Sequence, residues 1–333
     1  MMQIPTGGGG EVVGVDALWV AAGNTSGIGN TLAYSKGGIT WTGLGSTVNP
    51  DGFLCVAYSK FQKLWIAGGR AEYGGNNIAY STNGIDWTGF ITDAGIFAYR
   101  ATHGHIAYSE SQKFWIAVGE VNRSVGNTMA YSSDGLSWTG LGTSTFSSAG
   151  TRIAYSEYRK YWIACGISTN CVAYYSKDGL NWTGTGLGIF TNGYGIAYST
   201  YQDMWVATCQ STINSFLYST NGIDWTGLGK GPFSGAGYGG VTYSEFQRRW
   251  IAAGQGTLDS MAYSTDGVSW TGLGNSVFVR GRNVAYSTSQ NIWTAAGYIS
   301  GGNTLAYSKD GLSWTGLGME TLNGNGHGIA SDQ

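Results

Sequence analysis

The feature that most limits the folds open to this chain is a pair of aromatic residues seven positions apart, repeated along its whole length. In Met261–Gly274, Tyr263 precedes Asp266-Gly267 and then Trp270. The same Tyr-to-Trp spacing occurs at 34/41, 80/87, 131/138, 175/182, 218/225 and 307/314, and all seven of these tryptophans are followed by Thr-Gly. A second segment, typified by Ile153–Ala164, alternates with the first. It places Tyr and Trp at 58/65, 108/115, 155/162, 198/205, 243/250 and 286/293, with Val12 in the tyrosine place ahead of Trp19. All fourteen tryptophans of the chain fall into this scheme. Asp-Gly between two short runs predicts a two-residue type I′ hairpin, because that turn needs positive φ at both central residues. On that reading Tyr263 lies opposite Trp270, and Asp134, Asp178, Asp266 and Asp310 are structural turn residues.

The period sets the architecture. The Thr-Gly tryptophans are separated by 46, 51, 44, 43, 45 and 44 residues, which leaves room for four short strands and no helix. Repeated four-stranded units of that length predict an all-β, seven-bladed β-propeller with four antiparallel strands per blade. Stacking neighbours buries blade faces that one unit would expose. The expected layout is a flexible tail over 1–10 and one domain over 11–333, with blades near 11–45, 53–90, 104–142, 151–188, 194–229, 239–274 and 282–318. Residues 323–331 (NGNGHGIAS) repeat the start of a further unit, so two terminal segments compete for one strand position. Glu11 suits a packed strand less well than Ala330, which favours closure of the ring by the C-terminal strand.

Ser264-Thr-Asp266-Gly267 followed by Trp270 resembles the Asp-box repeat of sialidases and other propellers, although the Asp-box places its tryptophan one residue later. Gly37, Asn83 and Asn221 replace the aspartate in three repeats. The resemblance implies a folding signature rather than an active site. More loosely, the chain is similar to uncharacterised WIAVG/WTGLG repeat proteins of large DNA viruses.

Charged residues make up 11 % of the chain and the net charge is −2, so no basic stripe is available for nucleic acid. No apolar run approaches membrane-spanning length. The first ten residues lack the features of a secretory signal, so synthesis without export is expected, with carriage on a virus particle left open. The cysteines at 55, 165, 171 and 209 show no metal spacing and read as buried thiols, although Cys165 and Cys171 could meet across one loop. His103, His105 and His327 read as polar residues at the ring's mouth. No metal or cofactor is expected.

In a propeller the tight turns share one face and the variable loops the other, and variable loops on a rigid scaffold usually carry binding. Side-chain amides beside aromatic rings suit a neutral sugar. Asn30, Asn76, Asn127 and Asn303, with Tyr73, Tyr194, Tyr238, Tyr298, Arg100 and His103, are therefore the candidate ligand contacts. Strand-end capping explains the same asparagines equally well. Nine scattered arginines form no catalytic motif, and no nucleophile elbow or phosphate loop is present. The expectation is a non-enzymatic, lectin-like glycan-binding module. The alternative is a structural protein docking another protein through the same face.

Overall fold

The computed structural model describes residues 17–25, 29–70, 76–90, 104–121, 126–167, 173–185, 192–235, 237–298 and 302–332. Every regular element among them is a β-strand. Five antiparallel sheets have four strands each, and a sixth has eight. A representative sheet runs Val241–Ser244, Arg249–Ala253, Met261–Ser264, Thr271–Gly272. The eight-stranded sheet is two such sheets joined by a single pair, Ile167 opposite Asn192. In the sheet that holds Trp19–Gly23, Leu32–Ser35 and Thr42–Gly43, the first strand comes from the far end of the chain: Gly326–Ser331 pairs with Trp19–Gly23, placing Ala330 opposite Val20.

The first strands of successive sheets lie beside one another. Gly326–Ser331 packs on Phe53–Ser59, then His105–Ser109, Ala149–Ser156, Asn192–Ser199, Val241–Ser244 and Gly281–Ser287 follow, and the last packs back on Gly326–Ser331. The fold is thus propeller-like. The second strands are mostly buried, and Trp19–Gly23 and Ile292–Gly297 are buried along their whole length, as strands covered on both faces must be.

The hairpin between first and second strands follows the sequence pattern. Tyr58, Tyr108, Tyr155, Tyr198, Tyr243 and Tyr286 stand opposite Trp65, Trp115, Trp162, Trp205, Trp250 and Trp293. Ring centroids in these pairs are 4.7–4.9 Å apart. The hairpin between third and fourth strands corrects the expectation. Tyr263 pairs with Thr271, not Trp270, and of Asp266 and Gly267 only the glycine has positive φ (75°). The turn is wider than type I′ because side chains take over its backbone donors. Asp266 accepts the N–H groups of Val268 and Ser269 at 2.8 and 2.7 Å, while the Ser264 hydroxyl accepts the Gly267 N–H at 2.8 Å. Trp270 closes the turn by donating its indole N–H to the Gly267 carbonyl at 3.1 Å. The same bonds recur at Asp134, Asp178 and Asp310, and Asn83 and Asn221 substitute for the aspartate without loss.

Neighbouring sheets are fastened through the buried tryptophans. Trp115, Trp162, Trp250, Trp293 and Trp19 donate their indole N–H to Gln62, Gln112, Gln202, Gln247 and Gln290 of the preceding repeat at 2.7–2.8 Å. Each glutamine then donates to a carbonyl in the third-to-fourth turn of the tryptophan's own repeat, as Gln62 does to Ser133 at 2.6 Å. Where Arg159 replaces the glutamine, Tyr161 takes over: its hydroxyl accepts from Trp205 at 3.2 Å and donates to the Asn221 carbonyl at 2.6 Å.

A second repeated fastening explains the Trp-Thr-Gly-Leu-Gly run. The Asn303 amide lies flat against Gly316, accepts the Gly318 N–H at 2.8 Å and donates to the Val277 carbonyl at 3.1 Å. A methyl group on Gly316 would stand 2.2 Å from Asn303 Oδ1, so only glycine fits. Gly316→Ala should therefore destabilise the chain by ~1–3 kcal/mol. Adding Asn303→Ala should recover part of that loss, because the two changes share one clash. Urea-melt midpoints of the two single variants and the double variant check this, and strict additivity would refute it.

Candidate functional site

The first strands surround an axial cavity of about 570 Å³. One position of each first strand, just before the tyrosine or, for Ala330, before Ser331, holds a small residue: Ala57, Ala107, Ala154, Ala197, Ala285 and Ala330, with Thr242 in the remaining repeat. All seven are partly exposed and line this space. Towards the first-to-second turns the lining passes to Tyr58, Tyr108, Tyr155, Tyr198 and Tyr286 and reaches the exposed Glu157 and Thr200. The cavity opens on that face.

At its other end the lining changes character. His105, Arg152 and Asn283 stand two positions before the alanine level, in three different sheets. Beyond Arg152 lies a void of about 20 Å³, bounded also by Thr151, Tyr194, Tyr238, Arg282 and His327. The Arg152 guanidinium donates to the Thr151 carbonyl at 3.2 Å and the Arg282 carbonyl at 3.5 Å, but the Nε atoms of Arg152 and Arg282 are buried without a partner. Burial pushes the Arg152 guanidinium down to about 10, and the like charge of Arg282 adds to that, opposed by the nearby Cys55 and Cys165 thiols. Among the described residues lining the two spaces, the sole carboxylate is Glu157, at the opposite mouth. Two neighbouring guanidiniums with unmet donors and no local acid make a site that attracts an anion.

His105 and Asn283 add polar groups of defined polarity. His105 Nδ1 lies 3.1 Å from the Ile153 carbonyl oxygen. A carbonyl only accepts, so the ring proton sits on Nδ1 and Nε2 keeps its lone pair. Burial, reinforced by Arg152, lowers the His105 pKa to about 3, against the weaker pull of the Ile153 carbonyl. The ring is therefore neutral near pH 7. Asn283 accepts the Val284 N–H at 2.9 Å through Oδ1, which turns its amide N–H groups to other uses.

Tyrosines roof this end. Tyr194 meets Tyr238 edge-on at 5.0 Å, and Tyr298 meets His327 edge-on at 5.6 Å. The Arg280 guanidinium lies 5.2 Å from the Tyr238 ring and 5.0 Å from the Tyr298 ring, and Arg282 lies 4.4 Å from Tyr298. Tyr194, Tyr238 and Tyr298 thus lie at one end of the cavity, around arginines that the sequence reading did not select. The candidates Tyr73, Arg100 and His103 lie outside the described residues.

The asparagines have a different role. Asn30, Asn127 and Asn303 accept the N–H groups of Gly45, Gly142 and Gly318 at 2.6–2.8 Å. Asn30, Asn76 and Asn303 donate to the Thr321, Val48 and Val277 carbonyls at 2.7–3.1 Å. Amides committed in this way are strand fasteners. Asn214 and Asp259 hold the same position in two further repeats, accepting from Gly229 and Gly274. Cys165 is a buried free thiol, and Cys171 lies outside the described residues. Among the described residues no three His, Cys, Asp or Glu side chains are grouped to hold a metal ion.

No family model and no curated protein matches this chain. Solved structures do. A protein assigned as a 6-phosphogluconolactonase from Bacteroides uniformis aligns with 95% of this chain and 99% of its own at 11% identity, with a TM-score of 0.65. The periplasmic gluconolactonase of Pseudomonas aeruginosa aligns over 95% and 98% at 10% identity, TM-score 0.62. A protein from Lactobacillus plantarum aligns over 95% and 99% at 11% identity, TM-score 0.63. At these identities the likeness is one of fold, and it places the chain among propeller-like all-β proteins. It also corrects the expectation of a non-enzymatic lectin-like or docking module. Neighbours named as lactonases share the fold almost end to end, and the asparagines assigned to sugar are spent on the scaffold.

The state of His105 carries a pH consequence. Its folded pKa lies below the unfolded value of 6.5, so between about pH 6.5 and 3 the unfolded chain binds the extra proton. Stability is then lost as pH falls through that window, with a slope approaching ~1.4 kcal/mol per pH unit for one proton. His105→Gln should flatten this part of the stability–pH curve in urea melts from pH 7 to 4. An unchanged slope would contradict the neutral, buried ring.

Proposed function

We propose that this chain is a seven-bladed β-propeller that binds a small acidic sugar derivative at the arginine end of its axial cavity and hydrolyses the lactone form. The observation that carries this reading is the Arg152–Arg282 pair, whose Nε atoms are buried and unmatched, with no carboxylate among the described residues that line the void beside them. Like charges held close at low effective dielectric are costly, and an anion between them reverses the sign of that cost. The names of the fold neighbours from Bacteroides uniformis and Pseudomonas aeruginosa supply the reaction class.

The chemistry asks little of the protein. Water adds to the lactone carbonyl carbon, the ring C–O bond breaks, and the former ring oxygen leaves as a hydroxyl carrying a proton from the water. The guanidiniums stabilise the oxyanion as it forms and then the product carboxylate. His105 Nε2 accepts a hydrogen bond from the attacking water and so orients it, while the Asn283 amide donates to a ligand hydroxyl. The purified chain should accelerate hydrolysis of 6-phosphogluconolactone or gluconolactone above the spontaneous rate, followed by acid release at constant pH. Arg152→Gln and Arg282→Gln should each lower kcat/KM by ~10²-fold. No acceleration together with no calorimetric binding of 6-phosphogluconate or gluconate would overturn the proposal. Binding without acceleration would leave an anion-binding propeller and remove the hydrolase.

The ring geometry belongs to the same proposal. We read the seven repeats as seven blades, the turns around Asp134, Asp178, Asp266 and Asp310 as Asp-box-like, and the strand Gly326–Ser331 as the closing element. Its pairing with Trp19–Gly23 and its place between Gly281–Ser287 and Phe53–Ser59 support that reading. Deleting residues 323–333 should lower the thermal midpoint by on the order of 10 °C or more. A negligible shift would mean that another segment closes the ring.

A further inference from the structure

We infer that the ligand reaches the arginine end by passing down the axial bore from the face of the first-to-second turns, and that the ring of small residues at mid-bore sets what can pass. This rests on the reading of Arg152 and Arg282 as an acid-binding floor. It reverses the side expected from the sequence, which assigned binding to the variable-loop face.

Three observations carry it. The first is the distribution of space on either side of Arg152. Towards the turn face lies about 570 Å³, within the range of small-ligand pockets, and towards the loop face only about 20 Å³, room for about one water. The second is the roof. Tyr194 and His327 are only 6% and 8% exposed, and their ring contacts with Tyr238 and Tyr298 would have to part before a ligand could pass between them. The third is the bore itself. Six of seven repeats place alanine at this partly exposed position, before a tyrosine in five and before Ser331 in the last, whereas the preceding residue is a buried Val or Ile in every repeat. Close packing alone selects for size where a residue is buried, but here the small side chains face open space. They keep the bore wide enough for a monomeric acid and exclude a polymer. The positive floor then draws an anion along the axis, because low-dielectric walls focus the field.

The route is testable with cysteine placed in the wall. Ala154→Cys and, as a second placement, Ala107→Cys are treated in the folded state with a small, negatively charged methanethiosulfonate, and mass gain is compared with the unaltered chain. Each should take up one label beyond that background. Adding Ala285→Phe to either should slow labelling about tenfold, and so should saturating 6-phosphogluconate. If neither cysteine labels, the bore is closed and the proposal fails. It also fails if 6-phosphogluconate binds by calorimetry while Ala285→Phe changes neither its binding nor the labelling rate. If the cysteines label and Ala285→Phe slows them but 6-phosphogluconate neither binds nor protects, the route stands and the acid-binding reading of the floor falls.

Discussion

The indole N–H of a buried tryptophan is the constraint on which the rest of this structure depends. An unsatisfied buried donor costs ~1–3 kcal/mol, and six second-strand tryptophans find their partner in the repeat before their own. The partner is a glutamine in the turn of the repeat before, and that glutamine bonds on into the next turn of the tryptophan's repeat. Each repeat is thus completed by its neighbour, so stability resides in the junctions as much as in the sheets. Repeat four shows what is essential. Its turn carries Arg159 instead of glutamine, and Trp205 is still satisfied, through the Tyr161 hydroxyl. The required element is an acceptor at that point in space, whatever residue supplies it.

The same spacing of seven gave a correct geometry in one hairpin and an incorrect one in the other, and the difference lies in side chains. Tyr155 and Trp162 face each other because the intervening turn leaves the strands paired up to Ser156 and Tyr161. Between Tyr263 and Trp270, Ser264 and Asp266 take the backbone N–H groups that a tight hairpin would have used, and pairing starts one residue later. Such competition between local side-chain bonds and the strand ladder is weakly encoded in spacing alone. The six non-glycine residues with positive φ among the described residues, from Lys63 to Asn291, show a related effect. They occupy one position in the first-to-second turns, where glycine would be the easier choice. Their side chains are in use there: Lys113 over Phe61, Arg248 over Tyr201, Asp203 against Arg159.

The asparagines illustrate how side chains that look free in sequence can be committed to the scaffold in space. An Asn-Thr pair at a strand start shows two donors and an acceptor with no visible use. The use appears only when the glycine after Trp-Thr, thirteen residues on, is seen to lie beneath the amide. Conversely, Arg152 and Arg282 are 130 residues apart and belong to different repeats, so no linear motif joins them. What could have joined them is the repeat register, since Arg282 falls one position before the column that holds Arg152, Asn283 and His105.

That column separates scaffold from site. Two positions before the small bore residue, successive repeats carry Cys55, His105, Arg152, Gly195, Gly240, Asn283 and Gly328. A column that only packs would repeat its residue, as the tryptophans and the turn glycines do. Here the residues differ in size, charge and hydrogen-bonding character, although all seven lie at the same depth along the axis. Asn283 sits where Gly240 leaves room, and Arg152 and Arg282, with Arg280 close by, carry more positive charge than any described neighbour offsets. A fold stabilised by identical junctions can tolerate such departures only where neither a junction nor the ladder needs the side chain. The inner end of the first strand is such a place: its outer edge is paired, its faces are covered by neighbouring strands, and what remains points at the axis. Function in a ring of copies is therefore to be sought where the copies disagree.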